Sequence, residues 1–475
     1  MNVLIVLAAL TVNFGEETVP VRPALHSSGF GPTVCSCPQE TVDDIRSMGF
    51  AAARTHDWAL INPAQRVCDY FLIFPLMHLD AKDPRNYVFG PTDYLLKRTR
   101  EEAKLDVFYR LGTSIEHSGD KVHFNALVPD DFEKVAEIFA GTVRHYNRGW
   151  ANGYKWDIRY WEIWNEPEGD RNMWFRPEKT SYAEYRRLFC RFFVTCLKRL
   201  KGEFPDIKVG GPALWRMNEE YFRYLFGECR KAGVAPDFIS WHHYEEDPSV
   251  IAEATRLARK TCDDCGLPNC ELIINEWHYF SHEDYGWKGF KTTDPVAKRR
   301  IYEGPRGLMN IDSSCYNLAV LSQMQTSKLD QAYYYGCRHT GNWGYRDDCR
   351  AKYKVYYGLR MFGDFLKTYP QLCAAEGEDP AKSPVTTVLA GKSRDGKRLA
   401  VLVSDYRMRR RRLVIDVRGV APDAKVTAHV HDQAHDFAPT EATFADGRLT
   451  LEKSDAESAA FLVEFEIPSA RPVRN

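Results

Sequence analysis

A strand pattern followed by a helix pattern recurs eight times between residues 25 and 370 of this 475-residue chain. The strand patterns are short runs rich in β-branched and aromatic residues. They lie in Pro23–Pro32, Phe50–Thr55, Leu105–Leu111, Tyr160–Gly169, Ile207–Leu214, Phe238–Tyr244, Glu271–Trp277 and Gln331–Cys337. Eight such units predict a (β/α)8 barrel. A doubly wound open sheet is the alternative, because periodicity alone does not show whether a sheet closes.

The hydrophobic pattern of the sequence changes after Tyr369-Pro370. Short alternating runs follow, separated by turn signals such as Asp395-Gly396 and Asp446-Gly447. They are Val385–Leu389, Arg398–Ser404, Arg412–Val417, Lys425–His431, Arg448–Leu451 and Ala460–Phe465. This pattern predicts an antiparallel β-sandwich as an accessory domain in residues 371–475. Residues 25–370 would form the barrel, and residues 1–24 an N-terminal strand and lead-in. The arginine cluster Arg407–Arg412 is expected to be a solvated hairpin edge.

Composition limits the classes of partner. The formal net charge is -1, which argues against nucleic acid or an anionic membrane as the main partner. Aromatic residues make up 13% of the chain, which suits stacking against sugar rings but also suits a large core. The apolar run Val3–Leu10 is too short to span a membrane. It fits a signal-peptide core or a buried first strand. Because no basic residue precedes it, a cytoplasmic location is slightly favoured over secretion.

Neither a cofactor nor a metal is predicted. No glycine-rich phosphate loop of nucleotide-binding type follows a strand. The thirteen cysteines are scattered, and their odd number leaves at least one outside any intramolecular disulfide. The spacing of Cys262, Cys265 and Cys270 resembles part of a zinc site, but a fourth ligand is not evident nearby.

Polar residues collect at the ends of the predicted strands, where barrels of this type carry their active sites. The residues at the strand ends are Arg54, His56, Asn165, Glu166, His242, His243, Tyr244, Asn275 and Glu276. Glu166 and Glu276 end the fourth and seventh strands, on opposite sides of the barrel. A pair of carboxyl groups is the usual apparatus for breaking a glycosidic bond. Taken alone, Glu166 could also just cap the next helix.

Two motifs resemble the catalytic strands of clan A glycoside hydrolases: Trp-Glu-Ile-Trp-Asn-Glu-Pro at Trp161–Pro167 and Ile-Ile-Asn-Glu-Trp at Ile273–Trp277. Further matches point to glycoside hydrolase family 39, the family of β-xylosidases and α-L-iduronidases. They are Ser28–Phe30, Arg54–His56, Gly210–Pro212 and Asp237–Tyr244. The resemblance runs in motif order from about residue 11 to the end of the chain.

The resemblance implies a role for each matching residue. Glu166 corresponds to the general acid/base and Glu276 to the nucleophile. Asn165 corresponds to the residue that hydrogen-bonds the sugar 2-hydroxyl. Arg54 would keep Glu276 ionised, although a purely structural ion pair is a serious alternative.

The remaining assignments concern the walls of the sugar site. By resemblance, His242 and Tyr244 would line it, and His56 would bind a hydroxyl. Trp58, Trp277 and Trp343 are candidate sugar platforms, whereas core packing is expected for Trp161 and Trp164, and packing against a helix for His243.

The sequence departs from the family pattern in three places. Tyr333–Cys337 lacks the usual stacking tryptophan of the eighth strand, so Tyr335 or Trp343 would replace it. Asn275 stands where many relatives have threonine. The loop Tyr279–Asn310 is long, and such loops shape substrate subsites.

The expected function is a retaining, exo-acting glycosidase that releases a pentose or uronic acid unit from an oligosaccharide. An endo-acting glycanase and a catalytically silent carbohydrate-binding barrel are the alternatives. The resemblance is also compatible with a homo-oligomer.

Overall fold

The computed structural model describes residues 10–32, 39–56, 67–114, 128–168, 174, 180–336, 343–347, 349–379, 383–422, 424–453 and 457–467. Two short strands, β1 (Leu10–Asn13) and β2 (Val19–Pro20), precede the barrel. The barrel strands are β3 (Ser27–Ser28), β4 (Ala52–Arg54), β5 (Asp106–Leu111), β6 (Tyr160–Ile163), β7 (Lys208–Leu214), β8 (Phe238–Glu245), β9 (Glu271–Tyr279) and β10 (Gln331–Tyr334).

The eight barrel strands are parallel and form a closed sheet. Closure is made by β10, which pairs with β9 through Gln331↔Ile273 and with β3 through Tyr333↔Ser27. The (β/α)8 barrel is therefore confirmed and the open sheet is excluded. Inside the barrel, Phe108, Phe238, Ile273 and Tyr333 form a small apolar cluster. These residues come from β5, β8, β9 and β10 and form part of the packed barrel interior.

Helices surround the barrel, and most begin at a side chain that caps the helix. They are α1 (Gln39–Ser47), α2 (Tyr70–Ile73), α3 (Gly90–Lys97), α4 (Phe132–Arg148), α5 (Tyr182–Glu203), α6 (Glu219–Lys231), α7 (Pro248–Asp264), α8 (Gly286–Phe290), α9 (Pro295–Glu303), α10 (Ile311–Gln325) and α11 (Lys354–Thr368). Ser181 and Glu184 form a reciprocal capping box at the start of α5. Among the described helices, none is long and apolar enough to cross a membrane.

The observed bounds differ from the predicted ones mainly at the first, fourth and last barrel strands. The fourth strand ends at Ile163, before Asn165 and Glu166. The first strand contains only Ser27 and Ser28, because Pro23–Leu25 forms a 3₁₀ turn instead. The eighth strand ends at Tyr334, three residues before the predicted end at Cys337, which lies outside the described residues.

The C-terminal region is the predicted β-sandwich. Its strands are β11 (Gln371–Glu376), β12 (Val385–Lys392), β13 (Arg398–Tyr406), β14 (Arg412–Arg418), β15 (Lys425–His431), β16 (Asp436–Thr440), β17 (Ala442–Ala445), β18 (Arg448–Glu452) and β19 (Ala459–Glu466). Their order is β16-β15-β19-β13-β12-β11-β1-β14-β18-β17. The strand β1 lies between β11 and β14. The lead-in therefore contributes a strand to the C-terminal sheet, and Leu10, Val12 and Phe14 enter its core.

The helix α10 joins the two domains. Almost every residue of α10 is buried, because the helix packs against α11, the strand β9 and the sandwich strands β12, β13 and β19. Ser404 Oγ donates to the Cys315 carbonyl oxygen at 2.7 Å, and Ser314 Oγ lies 2.9 Å from His431 Nε2. The buried residues of α10 lie on all of its sides, as expected for a helix between two layers.

The arginine cluster Arg407–Arg412 is the predicted solvated edge only in part, because Arg409, Arg411 and Arg412 are exposed whereas Arg407 and Arg410 are partly buried. The side chains of Arg407 and Arg410 are only 17% and 20% exposed. Arg410 pairs with Glu378 and Asp405 inside the sandwich, and Arg407 reaches into the barrel. Only the contacts of the folded domains could show this, because the sequence pattern of a charged hairpin is the same in both cases.

The position of Phe14 yields a stability prediction. Phe14 is buried and contacts Phe465, with ring centroids 6.2 Å apart. It belongs to the same apolar core as residues of the C-terminal strands. Phe14→Ala should lower the free energy of unfolding by about 3–5 kcal/mol, because it removes a large side chain from a closed core.

The matched control is Val19→Ala, since Val19 is 57% exposed. Val19→Ala should change the free energy of unfolding by less than about 0.5 kcal/mol. Urea denaturation, monitored by circular dichroism, measures the free energy of unfolding of both variants. Equal, small losses would show that β1 is not part of the C-terminal core.

Candidate active site

The turn after β6 presents Asn165 and Glu166 in a strained backbone conformation. Trp164 and Glu166 have φ angles of 75° and 43°, in the left-handed region. The Trp164 amide donates to the Leu111 carbonyl at 2.7 Å, and the Glu166 amide donates to the Ala213 carbonyl at 2.9 Å. Such backbone conformations cost roughly 1–3 kcal/mol each and persist where the surrounding structure enforces them.

A glycine on the neighbouring strand makes room for this turn. Gly112 has a φ angle of +135°, and a Cβ atom there would lie 2.8 Å from Trp164 Cε3. Any larger residue at this position would displace the indole ring. Since Trp164 is buried in the main core, as the sequence predicted, the displacement would move the adjacent Asn165 and Glu166.

His242 lies between the two carboxyl groups. Its Nδ1 atom is 2.8 Å from Glu166 Oε1 and 3.3 Å from Glu276 Oε2. One ligand-type atom from each of these three residues lies within 4.8 Å of the other two. The fold thus brings together the two carboxyl groups that the sequence placed on the fourth and seventh strands.

Arg54 is fully buried and contacts three acceptors. Its Nη1 donates to Glu276 Oε1 at 2.7 Å, its Nη2 to Asn165 Oδ1 at 2.6 Å, and its Nε to Glu162 Oε2 at 2.7 Å. The guanidinium therefore fixes the nucleophile candidate and the Asn165 amide at the same time. Because Asn165 accepts through Oδ1, its Nδ2 group faces away from Arg54.

Glu162 was not selected from the sequence, although it organises the floor of the site. Ser240 Oγ and Asn275 Nδ2 donate to its Oε1 atom at 2.6 and 2.7 Å, while Oε2 accepts from Arg54. All four residues are buried. The available signal was strand alternation, which places Glu162 on the same face as Tyr160, toward the barrel interior.

Glu276 has two opposing influences on its ionisation. Burial raises the pKa of Glu276 above its usual range, and the charges of His242 and Arg54 and the hydrogen bond from Tyr244 act against this rise. Tyr244 Oη donates to Glu276 Oε2 at 2.7 Å. Arg54 therefore favours the ionised form, as expected, but the net direction of the pKa is upward because the carboxylate is buried.

An aromatic wall stands beside Glu276. Tyr244 contacts Tyr335, Trp343 and Trp287, with ring centroids 6.0, 5.7 and 5.6 Å apart. Gly336 allows this arrangement, because a Cβ atom there would collide with Trp343. Tyr335 and Trp343 thus lie where the sequence placed a substitute for the stacking tryptophan. Trp287 belongs to the long loop after β9 and is 44% exposed.

The other predicted residues lie in different places. His56 Nε2 is 3.7 Å from Glu276 Oε1, so His56 is part of the cluster. Trp277 is 1% exposed and packs against Tyr334, so the fold does not bring it to the carboxyl groups. Trp161 and His243 are buried, as expected from packing positions. Trp58 lies outside the described residues.

Glu168 is a further buried acid that the sequence analysis did not select. Its Oε1 atom accepts from the Trp215 amide at 2.7 Å, which connects the loop of Glu166 to the end of β7. Burial raises the pKa of Glu168 well above its usual range.

Metal-ligand geometry was found, among the described residues, only for Glu166, His242 and Glu276. Their carboxylate oxygens are already engaged with Arg54, Tyr244 and His242. The residues Cys262, Cys265 and Cys270 do not form such a group in the described part of the chain. Cys270 Sγ instead donates to the Glu271 carbonyl oxygen at 3.9 Å.

Comparisons with known proteins agree with the resemblance seen in the motifs. Residues 103–261 match the family model described as Glycosyl hydrolases family 39. A β-xylosidase of Geobacillus stearothermophilus is 30% identical over 185 residues, 34% of this chain and 34% of the relative. A β-xylosidase of Caldicellulosiruptor saccharolyticus is 28% identical over 212 residues, 42% of this chain and 38% of the relative. The chain thus spans little more than a third of these relatives' length, and the resemblance to family 39 is confirmed within it.

Solved structures show the fold over nearly the whole chain. A glucosidase from Croceicoccus marinus matches with a TM-score of 0.73 and 19% identity, covering 98% of this chain and 100% of the other. A family 51 α-L-arabinofuranosidase from Thermotoga petrophila matches with a TM-score of 0.64 and 12% identity, covering 96% and 100%. Both similarities concern the architecture of barrel and sandwich.

The buried pair of Arg54 and Glu162 yields a second stability prediction. Glu162→Ala should lower the free energy of unfolding by about 3–5 kcal/mol, since it leaves Arg54 without one of its buried partners. The exposed pair of Asp43 and Arg46, with side chains 48% and 51% exposed, offers the control. Asp43→Ala should cost about 0–1 kcal/mol. Fluorescence-detected urea unfolding compares the two, and a loss for Glu162→Ala as small as the control's would refute the structural role.

Proposed function

We propose that the protein is a retaining glycoside hydrolase that removes a terminal sugar from an oligosaccharide or glycoside. The observation that carries this proposal is that a carboxylate oxygen of Glu166 lies within 4.8 Å of a carboxylate oxygen of Glu276. Retaining enzymes have their two carboxyl groups about 5–5.5 Å apart, and inverting enzymes need about 6.5–9.5 Å to admit a water molecule. The short separation favours a covalent intermediate.

The environments of the two carboxyl groups support different roles. The side chain of Glu276 is 6% exposed and is held by Arg54 and Tyr244 in one orientation. The side chain of Glu166 is 23% exposed and contacts His242. A fixed carboxylate with cationic support suits a nucleophile. A more accessible carboxyl group suits a residue that exchanges protons with a leaving group and then with water.

In the first step, a carboxylate oxygen of Glu276 forms a bond to the anomeric carbon. The bond between that carbon and the glycosidic oxygen breaks, and Glu166 gives its proton to the departing oxygen. In the second step, Glu166 takes a proton from water, and the water oxygen attacks the same carbon. The bond to Glu276 then breaks, which restores both residues and retains the configuration.

Neighbouring residues would support these steps. The Nδ2 group of Asn165 would donate to the sugar 2-hydroxyl, because Arg54 turns the amide in that direction. His242 contacts both carboxyl groups and would keep their relative positions fixed. His56 lies close enough to Glu276 to reach a hydroxyl of a sugar bound there.

The sugar is proposed to be a pentose or a related residue, with action at chain ends. The matched relatives are β-xylosidases, and the wall of Tyr244, Tyr335, Trp343 and Trp287 limits the space beside Glu276. An endo-acting glycanase would need a cleft open on both sides. A panel of aryl xylosides, arabinosides, galactosides, fucosides and iduronides, together with end-labelled oligosaccharides, separates these alternatives.

Replacement of the two carboxyl groups tests the mechanism. Glu276→Ala should reduce turnover of aryl glycosides to background. Glu166→Gln should lower kcat by roughly 10²–10⁴-fold for poor leaving groups and much less for good ones, since proton donation matters only for the former. Near wild-type turnover of either variant would contradict the assignment. Sugar binding without any turnover by the wild type would indicate a silent carbohydrate-binding barrel.

The hydrogen bond from Tyr244 generates a pH prediction. Tyr244→Phe removes a donor that stabilises ionised Glu276, so the pKa of Glu276 should rise. Because the nucleophile must be ionised, the acidic limb of kcat/KM against pH should move to higher pH. Tyr94→Phe is the control, since Tyr94 is 54% exposed and lies on α3. An unchanged acidic limb in Tyr244→Phe would show that the hydrogen bond does not tune Glu276.

A further inference from the structure

We propose that Arg407 of the sandwich domain is a positioning residue for the active site, acting through the loops that follow β8 and β9. This inference rests on the proposed function. It departs from the sequence prediction, which treated the arginine cluster as a solvated edge. The consequence is that the sandwich is part of the catalytic apparatus and is more than an accessory domain.

The contacts of Arg407 lie on three elements of the barrel. Its Nη1 donates to Glu246 Oε2 at 2.8 Å, its Nη2 to Tyr279 Oη at 2.7 Å, and its Nε to Asp312 Oδ2 at 2.9 Å. Glu246 follows β8, Tyr279 ends β9, and Asp312 lies in the first turn of α10. One guanidinium therefore uses all of its nitrogen atoms to join three separate parts of the barrel.

Two further contacts strengthen this junction. Tyr406, the residue before Arg407, donates its hydroxyl to the Glu246 carbonyl at 2.8 Å. Glu246 Oε1 in turn accepts from Ser281 Oγ at 3.0 Å and from the Glu283 amide at 3.2 Å. Glu246 thus connects the sandwich to the loop after β9 as well as to the end of β8.

The junction is close to the reacting groups. Glu246 follows Tyr244 by two residues, and Tyr244 donates to Glu276. Tyr279 follows Glu276 by three residues on the same strand. His282 Nε2 lies 3.0 Å from the Tyr244 carbonyl oxygen, so the loop after β9 also contacts β8 directly. A displacement of either loop would therefore reach the Tyr244 hydroxyl.

The positive charge of Arg407 is needed because three carboxylates surround its guanidinium. Glu246 and Asp312 bond to Arg407, and Asp284 Oδ2 lies 3.9 Å away. These side chains are mostly shielded from water, with exposures of 16%, 4% and 34%. Without the cation, like charges would repel at low local dielectric and would separate the loops. Trp287, which packs on Tyr244, would move with the loop after β9.

The same cluster supplies a matched control. Arg410 is buried to nearly the same degree, but its partners Glu378, Asp405 and Thr386 all belong to the sandwich region. Loss of Arg410 should therefore weaken the fold without moving the barrel loops. A comparison of Arg407→Gln with Arg410→Gln separates positioning from general stability.

Kinetics on the aryl glycoside that the wild type cleaves best form the first measurement. Arg407→Gln should lower kcat/KM by roughly ten- to a hundredfold, because displacements of about 1 Å can have this effect. Arg410→Gln should change it by less than about twofold, even at a similar loss of Tm. Arg407→Lys keeps the charge and should recover part of the activity. In the Tyr244→Phe background, Arg407→Gln should cause a much smaller additional loss, since the contact it positions is already absent.

Hydrogen exchange is the second measurement and needs no turnover. Amides in residues 244–247 and 279–290 should exchange faster in Arg407→Gln than in the wild type or in Arg410→Gln. Unchanged exchange in these segments, or equal kinetic losses for both arginine variants, would overturn the proposal. If the wild type cleaves no glycoside, the proposed function fails, while the exchange data still decide whether Arg407 holds the loops.

Discussion

The buried guanidinium of Arg54 is the interaction on which the site depends. It lies at the end of a three-residue strand and bonds to Glu162, Asn165 and Glu276, which come from two other strands. The carboxylates of Glu162 and Glu276 would repel strongly in a barrel interior, and the guanidinium between them offsets this repulsion. Ser240 and Asn275 complete the set of donors around Glu162. The chemistry proposed for Glu276 therefore rests on a network one layer below it.

A turn with a strained backbone positions the second carboxyl group, that of Glu166. The turn through Trp164 and Glu166 adopts left-handed angles that side-chain-bearing residues rarely take, and amide bonds to Leu111 and Ala213 hold it. Gly112 is required beneath it, because only a residue without Cβ fits against Trp164. Rigid barrel strands on both sides thus stabilise a conformation that would not persist in an isolated peptide.

The two domains form one structural unit. The helix α10 is buried between the barrel and the sandwich, and β1 enters the sandwich from the opposite end of the chain. Arg407 extends this connection to the loops above Glu276. The sequence suggested that the long loop after β9 takes part in substrate selection. Arg407 of the sandwich contacts Tyr279 at the start of this loop, and Tyr244 of the aromatic wall contacts Trp287 within it. Substrate selection and domain packing are for this reason expected to be coupled.

The sequence by itself indicated eight strand–helix units, the sandwich, and the strand-end positions of Glu166 and Glu276, because periodicity and strand-end position are local properties. Closure of the barrel and the approach of the two carboxyl groups were decided by the tertiary structure. It also indicated Arg54, His242 and Tyr244 through motif resemblance. The tertiary structure alone decided the contacts of Glu162, Glu168 and Arg407, the burial of Trp277, and the path of β1. Each of these depends on which distant side chain lies within hydrogen-bonding or packing distance, and a charged or aromatic residue looks the same in sequence whether its partner is water or a buried carboxylate.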